Sequence, residues 1–136
     1  MGMGTRISRS VLIGIRQISA DLAPREACGL LFGSDDAITA MQAVENVAED
    51  PERRFEIEPA VLFAALRAER GGGARIAGYW HSHPSGDATP SATDAAMAQP
   101  DGKLWLIVAK ETVTLWRAVP RGVQHRRFVA VPWRDE

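Results

Sequence analysis

Between Ser8 and Leu22 the apolar side chains Val11, Leu12, Ile15, Ile18 and Leu22 recur at three- and four-residue intervals, while Arg9, Arg16 and Gln17 fall on other faces. That spacing predicts a helix with one face turned to a core, weakened slightly at Gly14 and stopped by Pro24. The period then changes. ACGLLFG (27–33) and AITAMQAV (37–44) are short apolar runs on either side of Ser34-Asp35-Asp36, which predicts a hairpin. Beyond the polar, proline-containing NVAEDPERR (46–54), the positions Val61, Leu62, Ala65 and Leu66 predict a second helix. Glu58-Pro59 opens it and the triple glycine 71–73 ends it.

RIAGYWHSH (75–83) reads as a strand rich in residues that suit a pleated surface, and Pro84 would interrupt its ladder. SATDAAMAQ (91–99) reads as a helix of about two turns, capped by Ser91 and stopped by Pro100. KLWLIVAK, TVTLWRAV and VQHRRFVAV predict three further strands, with a tight turn at 109–112 between the first two. No repeat, low-complexity run or linker divides the chain. The expected fold is therefore one α/β domain over residues 1–136, a mixed and mostly antiparallel sheet with about three helices.

Sixteen basic and seventeen acidic residues leave a net charge of −1, so no field favours nucleic acid or an anionic membrane. Arg126, Arg127 and Arg134 are too few to alter that balance. The single cysteine, Cys28, cannot form an internal disulfide, and no apolar run reaches membrane-spanning length. These features lead us to expect a soluble, cytoplasmic protein. Tyr79, Trp80, Trp105 and Trp116 fall on expected strands and read as packing residues.

The chemistry concentrates in HSHPSGDATPSATD, residues 81–94. Residues i and i+2 of a strand share a face, so His81 and His83 can present their imidazoles together while Ser82 points away. Ser91 and Asp94 stand one turn apart on the following helix, and a loop bent by Pro84, Gly86 and Pro90 could fold that helix start over the strand end. Two histidines and a carboxylate would leave the fourth position of a tetrahedral zinc open, as in catalytic sites. Each half has an ordinary reading too: Ser-x-x-Asp is a frequent helix cap, and histidines at a strand end are often merely solvated.

The stretch resembles, position for position, the core motif of the JAMM (MPN-plus) zinc metallopeptidases: His, Ser or Thr, His, Pro, six residues, Ser, two residues, Asp. PREACGLLFG is similar to that family's glutamate-bearing strand, and NVAEDPERRFEIEP to the segment that compact prokaryotic members carry next. The resemblance extends from about Ser8 to Val119 and implies a JAMM/MPN, cytidine-deaminase-like architecture with a curved sheet. It further implies one zinc, with a bound water, held by His81, His83 and Asp94. Glu26 would be the general acid/base, and Ser91 would help to stabilise the oxyanion. Spacing alone would not have chosen Glu26, since Glu45, Glu49, Glu52, Glu56 and Glu58 are also available. The implied substrate is the C-terminal Gly-Gly tail of a ubiquitin-like, sulfur-carrier type protein, cut at a peptide or isopeptide bond.

Other readings stay in view. Cys28 sits near an acid in a chain with histidines, but inside an apolar run that suits an inert buried thiol. A non-catalytic MPN-type binding module would use the same sheet without chemistry. A zinc deaminase needs a Cys-x-x-Cys pair that one cysteine cannot supply, and the zincin motif His-Glu-x-x-His is missing. His125 reads as a surface residue far from the motif rather than a fourth ligand.

Overall fold

The alternating periods of the chain become three helices and eight strands in the computed structural model, which describes residues 4–136. In chain order these are β1 (Thr5–Ile7), α1 (Arg9–Leu22), β2 (Cys28–Gly33), β3 (Ala37–Val44), α2 (Pro59–Arg70) and β4 (Ile76–Ser82). They continue with α3 (Ala92–Met97), β5 (Leu104–Ala109), β6 (Thr112–Gly122), β7 (Arg126–Ala130) and β8 (Trp133–Asp135). One sheet runs β7-β6-β5-β4-β2-β3-β1-β8. The pairs β2–β3, β2–β4, β5–β6 and β6–β7 are antiparallel, whereas β1–β3, β1–β8 and β4–β5 are parallel. The mixed, mostly antiparallel α/β fold expected from the sequence is the one observed.

The parallel step from β4 to β5 decides where chemistry can sit. Parallel neighbours need a crossover, and this one consists of the loop after His83 followed by α3. The whole histidine stretch is thus carried over the carboxyl end of the central strand β4. Gly78 permits the close β4–β5 approach there, since a Cβ on it would run into the backbone of Leu104.

Two apolar clusters flank the sheet. Val11, Leu12 and Ile15 of α1 are buried against Ile7, Leu31 and Ile38, as the helical spacing predicts. Burying those three side chains contributes on the order of 6 kcal/mol before entropy is counted. On the other side Cys28, Phe55, Ala98, Trp105, Ala118 and Phe128 form the second cluster. Helix α2 packs more shallowly than its pattern suggests: Val61, Leu62, Ala65 and Leu66 are only half-buried and Phe63 is exposed. Glu58 caps it through the Val61 N–H, and Gly71 ends it.

The structure departs from expectation at both ends of the described chain. Thr5–Ile7 and Trp133–Asp135 form short strands that no pattern predicted, and β8 pairs with β1 in parallel. Three-residue strands are too short to show a period, and their pairing joins distant parts of the chain. Strand β6 also runs on to Gly122, so β7 starts only at Arg126 rather than near Val123.

Candidate metal centre

The strand alternation that places His81 continues one step past β4, because the His83 N–H donates to Val108 O at 2.9 Å. Both imidazoles therefore face the same side, and both are buried. Ser82, on the opposite face, accepts the Ala27 N–H through its Oγ at 2.8 Å. That bond fastens the residue after Glu26 to the histidine strand. Glu26 is fixed further: its N–H donates to Pro51 O at 2.7 Å, and Asn46 Nδ2 donates to its carbonyl at 2.9 Å.

The loop after His83 sets the second half of the site. His83 Nδ1 lies 2.7 Å from Asp87 O. A carbonyl can only accept, so Nδ1 carries the proton and the Nε2 lone pair of the neutral ring points into the site. At the start of α3, Ser91 Oγ accepts the Asp94 N–H at 3.0 Å and Asp94 Oδ2 accepts the Ser91 N–H at 2.9 Å. The capping box exists, and the same Asp94 oxygen also reaches the histidines. One carboxylate thus both caps the helix and faces the two imidazoles.

His81 Nε2, His83 Nε2 and Asp94 Oδ2 form a tight triangle with sides of 2.9, 3.2 and 3.1 Å. A tetrahedral zinc with ordinary ligand bonds would separate its donors by about 3.3 Å. Glu26 stands beside them, its carboxylate oxygen and the two histidine nitrogens all lying within 4.8 Å of one another. The donor set suits a cation, since the His83 lone pair and the Asp94 oxygen face each other with no proton between them when the ring is neutral. Glu26 Oε1 and His81 Nδ1 are buried without a hydrogen-bond partner among the described residues. Phe55 stacks on the His81 ring at 4.4 Å and Trp105 meets its edge, which holds the ring in place.

The charges follow from burial and neighbours. Burial alone would raise Asp94, but His81, His83 and the Ser91 N–H outweigh it and hold the carboxyl well below its usual range. Burial keeps His81 neutral by pushing it below 6.5, against the pull of Asp94. Burial also lowers His83, yet its bonds to Asp94 and to the Asp87 carbonyl, with the charges of Asp94 and Glu26, leave it raised. Burial pushes Glu26 from 4.5 up to about 7; His83 opposes this and Asp94 adds to it. A carboxyl poised near neutrality can both take and give a proton.

All five residues singled out from the sequence converge here, Ser91 on the cleft wall above the triangle. The cleft has a volume of about 380 Å³ and is bordered also by Glu52, Arg53 and Thr89. His125 is the correction: the β6–β7 turn brings it to the cleft wall, so it is exposed but not remote. The sequence reading also passed over Asn46. Its Nδ2 donates to the carbonyls of Glu26 and Arg54, and its Oδ1 accepts the N–H groups of Ala48 and Glu56. Cys28 is buried, its thiol donating to Val44 O at 3.4 Å, and burial with the nearby Glu26 pushes it up to about 12.

Comparison with known proteins defines the class. Residues 8–119 match the family of prokaryotic homologs of the JAB domain. The chain belongs to that family, the stand-alone prokaryotic JAB/JAMM type. It is similar to a desampylase of Haloferax volcanii, with 38% identity over 104 residues, 75% of each chain. It is also similar to a probable TtuB-protein conjugate cleaving protease of Thermus thermophilus, with 30% identity over 98 residues, 72% of this chain and 66% of that one. A JAB1/MPN domain protein from Archaeoglobus fulgidus shares the fold at a TM-score of 0.60 and 21% identity, covering 96% of this chain and 98% of its own. With these relatives, the chain is a JAMM-class hydrolase of peptide or isopeptide bonds.

Proposed function

We propose that this protein is a zinc-dependent isopeptidase that hydrolyses the amide bond at the C-terminal Gly-Gly tail of a ubiquitin-like, sulfur-carrier type protein in the cytoplasm. The observation that carries the chemistry is the His81–His83–Asp94 triangle with Glu26 beside it, its carboxyl near neutral pH. The substrate class is supported by the two relatives, a desampylase and a probable TtuB-protein conjugate cleaving protease.

His81, His83 and Asp94 would hold one zinc ion. When bound, the ion supplies Lewis acidity toward a carbonyl and makes a water acidic enough to give up its proton near neutral pH. Glu26 takes that proton at its carboxylate and later returns it to the leaving amine nitrogen. Its main chain is fixed by Pro51 and Asn46, so the carboxyl is held without local rearrangement. Ser91 Oγ already accepts the Asp94 N–H, which leaves its own proton free to donate to the oxyanion that develops at the scissile carbonyl. An extended tail would bind chiefly by main-chain hydrogen bonds, and a glycine pair lets that main chain approach the buried triangle closely.

The test is to offer the zinc-loaded protein a ubiquitin-like carrier joined through Gly-Gly to a lysine ε-amine, and to identify products by mass. Release of a carrier ending in Gly-Gly supports the reading, and a Glu26→Gln protein should release none. An uncut conjugate in the presence of stoichiometric zinc would favour a non-catalytic binding module.

A further inference from the structure

Beside the cleft, the β6–β7 turn and the outer face of α3 border a shallow groove of about 790 Å³. Arg121, His125, Arg126 and Arg127 supply one side of it, and Ala92, Ala95 and Ala96 of α3 the other. No carboxylate borders this groove, and none of the three arginines makes an ion pair among the described residues. The Nε of half-buried Arg127 is enclosed without an acceptor. In a chain of net charge −1 such an uncompensated cationic cluster stands out.

The backbone beneath it is held in an unfavourable shape. Arg121, His125 and Arg126 have φ of 59°, 51° and 59°, a region that non-glycine residues seldom adopt. The turn is fixed by bonds between the main chains of Gln124 and Phe128, and Phe128 is fully buried. Gly122 is required there, because a Cβ on it would meet the Phe128 main chain at 2.5 Å. Strain of this kind persists where the surroundings over-determine it, and here it turns successive basic side chains outward next to the cleft. His125 borders both the cleft and the groove, so the two are continuous.

We infer that this groove docks a carboxylate-rich face of the ubiquitin-like protein whose tail occupies the cleft. The inference rests on the isopeptidase reading above and adds the body of the substrate to its tail. The ubiquitin-like partner is favoured over the conjugated target because it is the constant half of every conjugate, and a built surface suits a constant partner. The alanine face of α3 favours a protein over a nucleic acid, since it offers a flat apolar floor and no charge to pair with a second row of phosphates.

The experiment compares two substrates with the zinc-loaded enzyme: an acidic ubiquitin-like conjugate and a short peptide amide ending in the same Gly-Gly tail. Arg121→Glu with Arg126→Glu, both at exposed positions, should raise KM for the conjugate about tenfold and leave kcat, and all constants for the peptide, unchanged. Arg121→Lys with Arg126→Lys should restore the conjugate KM. The wild type provides a test that needs no folded variant: raising salt from about 50 to about 300 mM should raise KM for the conjugate and spare the peptide. Equal salt response of both substrates, or an unchanged conjugate KM in the Glu variants, would overturn the docking surface while leaving the isopeptidase reading intact. Failure of the wild type to cut either substrate would instead sink the isopeptidase reading, and this inference with it. Binding of a single-stranded RNA that the Glu variants lose, with conjugate KM unaffected, would reassign the groove to nucleic acid and overturn the inference.

Discussion

Glu26→Gln separates the electrostatics of the site from its chemistry. The Glu26 side chain is only 5% exposed, and burial pushes its carboxyl from 4.5 to about 7. In metal-free protein the folded state thus holds a proton that the unfolded state has already released between those two values. The unfolded state binds fewer protons there, so stability falls as pH rises from about 4.5 through about 7 and is fully present only at lower pH. Between pH 5 and pH 8 this loss amounts to about 2–3 kcal/mol. Gln cannot ionise and should abolish it. Urea unfolding of chelator-treated wild type and Glu26→Gln, at pH 5 and pH 8, measures the difference. The variant should gain about 2–3 kcal/mol relative to wild type on going to the higher pH. His81 and His83 titrate in both proteins, so most of their contribution cancels. An identical pH response in the two proteins would refute the claim that Glu26 is held protonated by burial. Turnover should be lost in the variant at every pH, because no carboxyl remains to move the proton.

Asn46→Ala should cost about 3 kcal/mol of stability, since it strips partners from two carbonyls and two N–H groups, some of which can recruit water. Its kcat should fall by about tenfold to a hundredfold as Glu26 loses an anchor, with zinc content unchanged; an undiminished kcat would remove Asn46 from the positioning of Glu26. Cys28→Ser should keep its activity, and native Cys28 should resist iodoacetamide at pH 8, because the thiol is buried and pushed up to about 12. Rapid alkylation with matching loss of turnover would return the thiol to the mechanism.

The geometry of residues 81–94 was legible because strand period, loop punctuation and cap geometry are local. His81 and His83 share a face by alternation alone, and Asp94 follows from the cap at Ser91. Glu26 was legible only through family resemblance, because its partners Ser82, Asn46 and Pro51 are brought to it by the sheet and by the loop after β3. His125 was misplaced for the same reason: a turn between β6 and β7 brings it back across the sheet to the cleft, a closure that no short-range pattern records. Strands β1 and β8 were missed because three residues carry no period and their pairing is non-local. Helix α2 shows the opposite case, a correct period whose face meets only a shallow surface.

The most direct test of the central claim is zinc content in wild type and Asp94→Asn, each purified without chelator or added metal. The account predicts about one zinc per wild-type chain, as expected of a single three-ligand site, and a clear loss in the variant. Equal zinc in both proteins, or none in the wild type even after remetallation, would contradict a metal centre built on His81, His83 and Asp94.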